Sequence, residues 1–268
     1  MIPGPIRSFL HHRHLIWQLA RRDVVGRYRG SALGLFWSFV QPLLMLAVYT
    51  YVFGVVLQVR WSDRLQEEGD VAFAVILFSG LIVHGLFAEC FTRSPTLVLD
   101  NANFVKKVIF PLEILPYTVL LSALFHAAMS MVVLFGAHLV LDRDMAWTAL
   151  LLPITLAPLL IMTLGVSWLL ASLGVFLRDI GQVTSVLSTV LLFVSPIFFP
   201  IDRLPEPMRD FVYLNPLSVI VDQVRAVLLF GEQPDWRALG IYTLVALAVA
   251  QLGYWWFQRT RRGFADAL

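Results

Sequence analysis

Leu15–Leu57 reads LIWQLARRDVVGRYRGSALGLFWSFVQPLLMLAVYTYVFGVVL, a cationic stretch that runs without a linker into an apolar one. Six arginines (Arg7, Arg13, Arg21, Arg22, Arg27 and Arg29) stand ahead of Leu33–Leu57. That apolar segment exceeds the roughly 20 residues a bilayer-spanning helix needs. Because arginine-rich flanks stay on the cytoplasmic side, this order sets an orientation before any fold is considered.

The remaining composition agrees. With 59% hydrophobic and 14% charged residues over 268 positions, and a mean hydropathy of +0.77, the chain has more apolar surface than a soluble core can hide. It reads as an all-α, polytopic integral membrane protein. The first ten residues, MIPGPIRSFL, carry no long apolar core or small-residue cleavage site, so no signal peptide is expected. Six apolar runs are candidate spans: Leu33–Leu57, Val71–Phe91, Leu112–Leu141, Trp147–Leu177, Val183–Phe199 and Leu239–Phe257. The third and fourth are long, allowing tilt or a kink at Pro153 or Pro158, and the fifth is short and closes on Pro196 and Pro200.

With the N-terminus inside, thirteen of the twenty basic residues fall on the cytoplasmic side and seven outside, Arg225 among the latter. Both termini are therefore expected in the cytoplasm. No internal repeat is visible. The chain reads as one membrane domain over residues 1–268, with a cytoplasmic amphipathic segment at 1–32, a six-span region at 33–257 and a cytoplasmic tail at 258–268. Within the last outside segment, Leu217–Phe230 (LSVIVDQVRAVLLF) follows Asn215-Pro216. It is too short to span and too apolar for a solvated loop, so it is expected to be re-entrant or to lie flat in the interface.

Residue types that carry chemistry are scarce. Cys90 is the single cysteine and lies in an apolar run, without a partner for a disulfide or metal. The only lysines, Lys106 and Lys107, do not follow a glycine, which excludes a phosphate-binding loop of the G-x-x-x-x-G-K-[ST] type. His11, His12 and His14 lack carboxylate companions, and His84, His126 and His138 lie on different spans. No metal site or nucleic-acid site is expected. Histidines on membrane helices more often bond a neighbouring helix. Glu89 and Glu113 fall near the cytoplasmic ends of spans two and three, where an intramembrane proton relay is a further possibility.

Three stretches stand out. From Ile16 to Arg29, Ile16, Trp17, Ala20, Val24 and Tyr28 share an arc of about 120° on an ideal helix, while Gln18, Arg21, Arg22 and Arg29 share another. Arg27 intrudes on the apolar arc. The segment reads as an interface helix whose arginines meet headgroups or gather a substrate phosphate. On the first span, Phe39, Tyr49 and Phe53 lie within about 80° of one another, and Phe36, Trp37 and Tyr51 within about 100° on another face. Such faces either pack, face lipid or line a glycan path. Tyr254, Trp255 and Trp256 read as an interfacial belt. Between spans two and three, Leu97, Phe104, Val105 and Val108 are spaced to seat on a protein partner beside Lys106 and Lys107.

RRDVVGRYRGSALGLFWSFVQPLLMLAVYTYVFG (21–54), followed by DNANFVKKVIFPLEILP (100–116) and the late LNPLSVIVDQVR, resembles the membrane subunits of ABC-2 type polysaccharide exporters, most of all the O-antigen and teichoic-acid permeases. The resemblance covers nearly the whole chain, and the short acidic segment Trp61–Asp70 departs from it. It implies a homodimer of six-span subunits docked on two separate cytoplasmic ATPase subunits that bind ATP and Mg, with no cofactor or catalysis in this chain. It further implies a coupling helix at Asn101, Asn103, Phe104, Lys106 and Lys107, and a cytoplasmic gate at Arg21, Arg22, Arg27 and Arg29. A re-entrant outer segment is implied at Asn215, Pro216, Asp222 and Arg225. The cargo implied is a glycan on a polyprenyl pyrophosphate in the inner membrane; capsular polysaccharide, teichoic acid and a small hydrophobic cargo are the alternatives.

Overall fold

A computed structural model describes residues 4–57, 69–105, 110–140, 146–201 and 205–267. All regular structure among these residues is helical. The helices are α1 (Pro5–Arg27), α2 (Trp37–Tyr49), α3 (Gly69–Arg93), α4 (Ala102–Val105), α5 (Leu115–Val140), α6 (Leu152–Phe176), α7 (Ile180–Val194), α8 (Glu206–Leu214), α9 (Pro216–Leu228), α10 (Trp236–Thr260) and α11 (Phe264–Ala267).

Five stretches are long and apolar enough to cross a membrane: Gly34–Val56, Phe73–Thr96, Leu112–Leu139, Trp147–Phe176 and Trp236–Ala267. They coincide with the first four and the last of the runs read from sequence. The fifth run becomes α7, whose 15 residues reach only about 22 Å at 1.5 Å per residue, short of a ~30 Å hydrocarbon layer. Ser195-Pro196 ends it, and two short helices, α8 and α9, follow before α10.

The chain places its punctuation where the backbone needs it. Gly30 (φ +85°) and Gly34 (φ +52°) take left-handed conformations that L side chains resist, turning the chain between α1 and α2. Pro153 stands in the first turn of α6, where its missing N–H costs nothing, whereas Pro158 lies within that helix. Asp235 caps α10 by accepting from the N–H groups of Arg237 and Ala238 at 2.9 and 3.1 Å.

Helix α3 is the hub. Its most apolar window is 72% buried, against 11% for the first span, and it contacts α5, α6, α7, α9 and the π-helical turn Thr50–Val56 that continues α2. Helices α2, α7 and α10 leave apolar side chains such as Leu44, Val48, Val186, Phe193, Leu244 and Leu252 exposed. Surface of that kind is covered by lipid or by another subunit in a folded membrane protein.

Helices α6 and α10 make the most extensive helix pair, and small residues set their distance. A Cβ on Gly253 would lie 2.1 Å from the carbonyl oxygen of Gly165, and one on Gly165 would lie 2.6 Å from the backbone of Ala250. Beside this crossing, fully buried Trp168 lies edge-on to Tyr117 at 5.2 Å and to Tyr254 at 5.0 Å, and donates Nε1–H to the Glu113 carbonyl at 3.0 Å. Tyr254 is thus a core residue and not part of an interfacial belt, because its ring fills the slot beside Trp168; Trp255 and Trp256 are exposed.

Replacing Gly253 with valine forces backbone apart at this crossing. The expected result is a loss of at least about 1–3 kcal/mol, the usual cost of overpacking, read as a lower melting temperature and aggregation on size exclusion of detergent-solubilised protein. Gly136→Ala, where a Cβ meets nothing within 4 Å, should be silent.

Candidate functional site: a charged staircase at three helices

Each of α1, α3 and α5 carries two polar residues four apart and hence on one face: Asp23 and Arg27, Glu89 and Arg93, Ser122 and His126. The structure stacks these six into two layers. In the first, Arg93 Nη2 reaches both Asp23 oxygens at 2.7 and 2.9 Å, and Ser122 Oγ donates to Asp23 Oδ2 at 2.7 Å. In the second, Arg27 pairs with Glu89 Oε1, and His126 Nδ1 lies 2.9 Å from Glu89 Oε2. Arg93 Nη1 joins the layers by donating to Glu89 Oε1 at 3.1 Å.

This geometry fixes the hydrogen-bond roles. A carboxylate can only accept, so His126 carries its proton on Nδ1, and the 3.2 Å approach of Arg27 Nη1 to that nitrogen is a contact between donors. His126 Nε2 is buried and has no partner among the described residues. Two arginines balance two carboxylates. Burial pushes the Asp23 carboxyl up, but hydrogen bonds from Arg93 and Ser122 and the charges of Arg93 and Arg27 outweigh it and hold the group below its ordinary value.

Two hollows flank the staircase. One, of about 390 Å³, lies between α2, α3 and α5, with Arg27, Glu89 and His126 at one end and Met45, Phe78 and Ile82 among its apolar walls. The other, about 330 Å³, brings Arg22 and Asp23 of α1 together with Arg93, Asp100 and Asn101. Two sites expected separately from sequence, the arginine helix and the loop after the second span, therefore share one cavity. Arg22 and Asn101 both line it; Arg21 and Arg22 on α1, and Arg29 two residues past its end, are all exposed.

The buried stripe of α1 is Ser8, Ile16, Ala20 and Val24, packed on α5, and Trp17 is exposed. Arg27, the residue that interrupted the apolar arc, is the arginine that turns inward. In the following loop, Asn101 Nδ2 donates to the Leu97 carbonyl at 2.9 Å and Asn103 is exposed. Leu97 is buried in the chain's own core and Phe104 stacks on Phe110 at 4.3 Å, so neither presents its side chain fully to a partner. Lys106, Lys107 and Val108 lie outside the described residues, as do residues 61–68 of the acidic segment and the Val105 side chain.

The aromatics of the first span divide as their spacing foretold. Phe39, Tyr49 and Phe53 turn inward, Phe53 lying 5.7 Å from Phe73 and 6.3 Å from Phe198, whereas Phe36, Trp37 and Tyr51 are exposed. At the other end of α3, Arg225 is fully buried and donates to the carbonyls of Ile76, Pro196 and Ile197, the last at 3.0 Å. Gly80 makes room for it: a Cβ there would lie 2.9 Å from Arg225 Nη2. Burial pushes the Arg225 guanidinium down to about 10, and Asp222, one turn earlier, only partly opposes this. Asn215 caps α9 by accepting from Leu217 N–H at 3.0 Å, donates to Ser195 Oγ at 2.8 Å, and is followed by Pro216 in the first turn. Helix α9 packs against α3 and α6 along its buried face.

Among the described residues, no three His, Cys, Asp or Glu side chains converge on a metal position. The fold and site define a multi-helix membrane protein with polar cavities between its helices, the equipment of a transport subunit. The chain belongs to the ABC-2 type transporter family, whose model matches residues 14–229. It is similar to the O-antigen export system permease protein RfbA of Myxococcus xanthus, with 25% identity over 265 residues and 98% of each chain covered. The RfbA permease of Klebsiella pneumoniae is also 25% identical, with 95% of each chain covered. The capsule polysaccharide export inner-membrane protein CtrC of Neisseria meningitidis serogroup B is 23% identical over 82% of this chain and 80% of its own.

Glu89→Gln removes the acceptor that Arg27, Arg93 and His126 share. Stranding partly buried charge typically costs about 3–5 kcal/mol; partial exposure of both arginines lowers the expectation to about 2 kcal/mol, measured as a drop in melting temperature. The Arg27→Gln/Glu89→Gln double variant should lose less than the sum of the single variants. Because the Asp23 carboxyl is held below its ordinary value of 3.8, its contribution is complete above that value and is lost as pH falls through the lower folded value. Asp23→Asn should therefore flatten the acid limb of the stability profile below about pH 4.

Proposed function

We propose that this chain is the membrane subunit of an ATP-driven exporter that carries a lipid-linked polysaccharide, an O-antigen or similar glycan on a polyprenyl pyrophosphate, across the cytoplasmic membrane. Near full-length similarity to O-antigen export permeases carries the reading. In this reading the subunit works as a homodimer with six spans, α7 counting as the fifth with the help of its turn and partner. Both termini lie in the cytoplasm, as the basic-residue bias favours. ATP and Mg bind to two separate ATPase subunits, which seat on the loop around Asn101, Asn103, Lys106 and Lys107.

The physical logic is a relay. Force from the ATPase reaches the Asn101 loop, whose cavity also holds Arg22, Asp23 and Arg93. A shift there bears on α1 through the Arg93–Asp23 pair and on α5 through Ser122. The exposed arginines of α1 and the turn after it (Arg21, Arg22 and Arg29) are placed to collect a pyrophosphate at the entrance, since guanidinium forks match phosphate oxygens. Phe36, Trp37 and Tyr51, exposed along the first span, offer flat faces for sugar rings at the dimer interface. Helices α8 and α9 flank the outer exit as a re-entrant pair pinned by Arg225.

Purification through a tag on this chain should recover an ATPase subunit, whose activity a lipid-linked glycan stimulates. Reversing charge at Lys106 and Lys107 together with Asn103→Asp should preserve assembly of the membrane subunit and reduce glycan export at least tenfold. Export that persists undiminished, or cargo movement without any ATPase, would overturn the reading. Stimulation by small hydrophobic compounds and not by glycan would redirect it to a different cargo.

A further inference from the structure

The loop between α3 and α5 is gripped at both ends by helices that are not its own. At its start the buried turn residue Pro95 touches α6 backbone to backbone: a Cβ built on Gly174 would stand 1.9 Å from the Pro95 carbonyl oxygen. At its end Arg261, just past α10, holds two residues with one guanidinium. Its Nη1 donates to Glu113 Oε2 at 2.7 Å and its Nη2 to the Phe110 carbonyl at 3.2 Å. Trp168 of α6 holds Glu113 from the other side, through the carbonyl bond at 3.0 Å. Because the Phe110 ring stacks on Phe104, the grip extends to α4, the helix that carries Asn103.

Each contact answers a local need. Phe110 lies outside any helix, so its carbonyl must find a donor elsewhere. The Glu113 side chain is only 5% exposed, and among the described residues Arg261 is its one ion-pair partner. Arg261 is itself held in place by its neighbours in the chain. Thr260 shares a hydrogen bond with Ser172 of α6 at 2.6 Å, and fully buried Phe264 packs on Phe257 at 5.4 Å and on Phe176 at 5.9 Å. Arg259 and Arg262 stay exposed. The tail therefore folds back on α6 and α10 and presents one arginine to the loop. The relay through Arg93 and Ser122 reaches α1 and α5 but not this pair. We propose that Arg261 is a positioning residue for export, the clamp that delivers the loop's movement to α6 and α10. The inference rests on the proposed function, in which an ATPase subunit moves that loop. A guanidinium fork fixes both distance and angle, and α6 and α10 meet backbone to backbone at Gly165 and Gly253, so a displacement delivered to one reaches both. With the clamp open, ATP is hydrolysed while α10 stays still.

Three variants test this. Arg261→Gln removes charge and fork, Arg261→Lys keeps the charge without the fork, and Arg262→Gln takes the same charge from an exposed neighbour. Hydrogen exchange on the detergent-purified membrane subunit should show residues 110–115 and 260–267 losing protection in Arg261→Gln while α3 keeps its own. In vesicles carrying the complex, Arg261→Gln should retain the ATPase subunit at the parental ratio and continue to hydrolyse ATP, yet export about fivefold less glycan per ATP or lower still. Arg261→Lys should recover part of that loss, and Arg262→Gln should export as the parent does. A fold that merely loosened would lower export and hydrolysis together, and that parallel fall overturns the proposal. So do unchanged exchange, an unchanged ratio of glycan to ATP, an equal loss in Arg262→Gln, or a lysine variant no better than glutamine. Should Arg261→Gln not fold, Glu113→Gln opens the same pair from the loop side, leaves the Trp168 bond to the backbone in place, and is scored in the same way. If no ATPase subunit copurifies with the parent, the proposed function falls and the coupling role with it, while the exchange result still decides whether the clamp exists.

Discussion

A carboxylate on a helix that crosses hydrocarbon is tolerated only when donors surround it, and Glu89 sets that condition for this molecule. It sits one turn from the end of the central helix, so its partners must come from whatever packs there. Arg93 comes from its own helix, His126 from α5 and Arg27 from α1. Helix α1 has only a narrow apolar stripe and would bind the bundle weakly by burial alone. Charge pairing at Arg27 and Asp23 completes its attachment, and this attachment in turn shapes both hollows.

The opposite end of α3 solves the reverse problem, a buried cation. Arg225 has carbonyl oxygens on three sides, from α3 and from the turn that ends α7. The two carbonyls of the turn, Pro196 and Ile197, are available because α7 stops early and Pro196 breaks the helical ladder there. The shortness of α7 and the burial of α9 are thus two aspects of one arrangement. Arg225 also ceases to count as an outside loop charge, which leaves the inward bias of basic residues stronger than the raw tally.

Long apolar runs were legible because their signal is summed over twenty or more residues; five became helices long and apolar enough to span, with ends within five positions of those expected except in the last, which runs on to Ala267. The staircase was legible only in pieces. Arg27 announced itself as a charge on an apolar arc, and Glu89 as an acid near a span end. Their union with Asp23, Ser122 and His126 depends on which helices are neighbours, a tertiary fact that spacing alone does not contain. The recurrence of polar residues four apart on three different helices was the available signal, visible only when the three are compared. The seating role expected of Leu97 failed for a related reason: an apolar residue at helical spacing fits a partner's groove or the chain's own core equally well, and here the core claims it.

The glycine crossing of α6 and α10 has a mechanical consequence. Backbone in direct contact has one fitting geometry and no second well nearby, so the two helices behave as a single stiff beam. Ion pairs among several acceptors and donors can trade partners at little cost. The molecule therefore joins α6 to α10 by van der Waals contact of backbone and α1 to α3 by exchangeable charge, two couplings of very different stiffness.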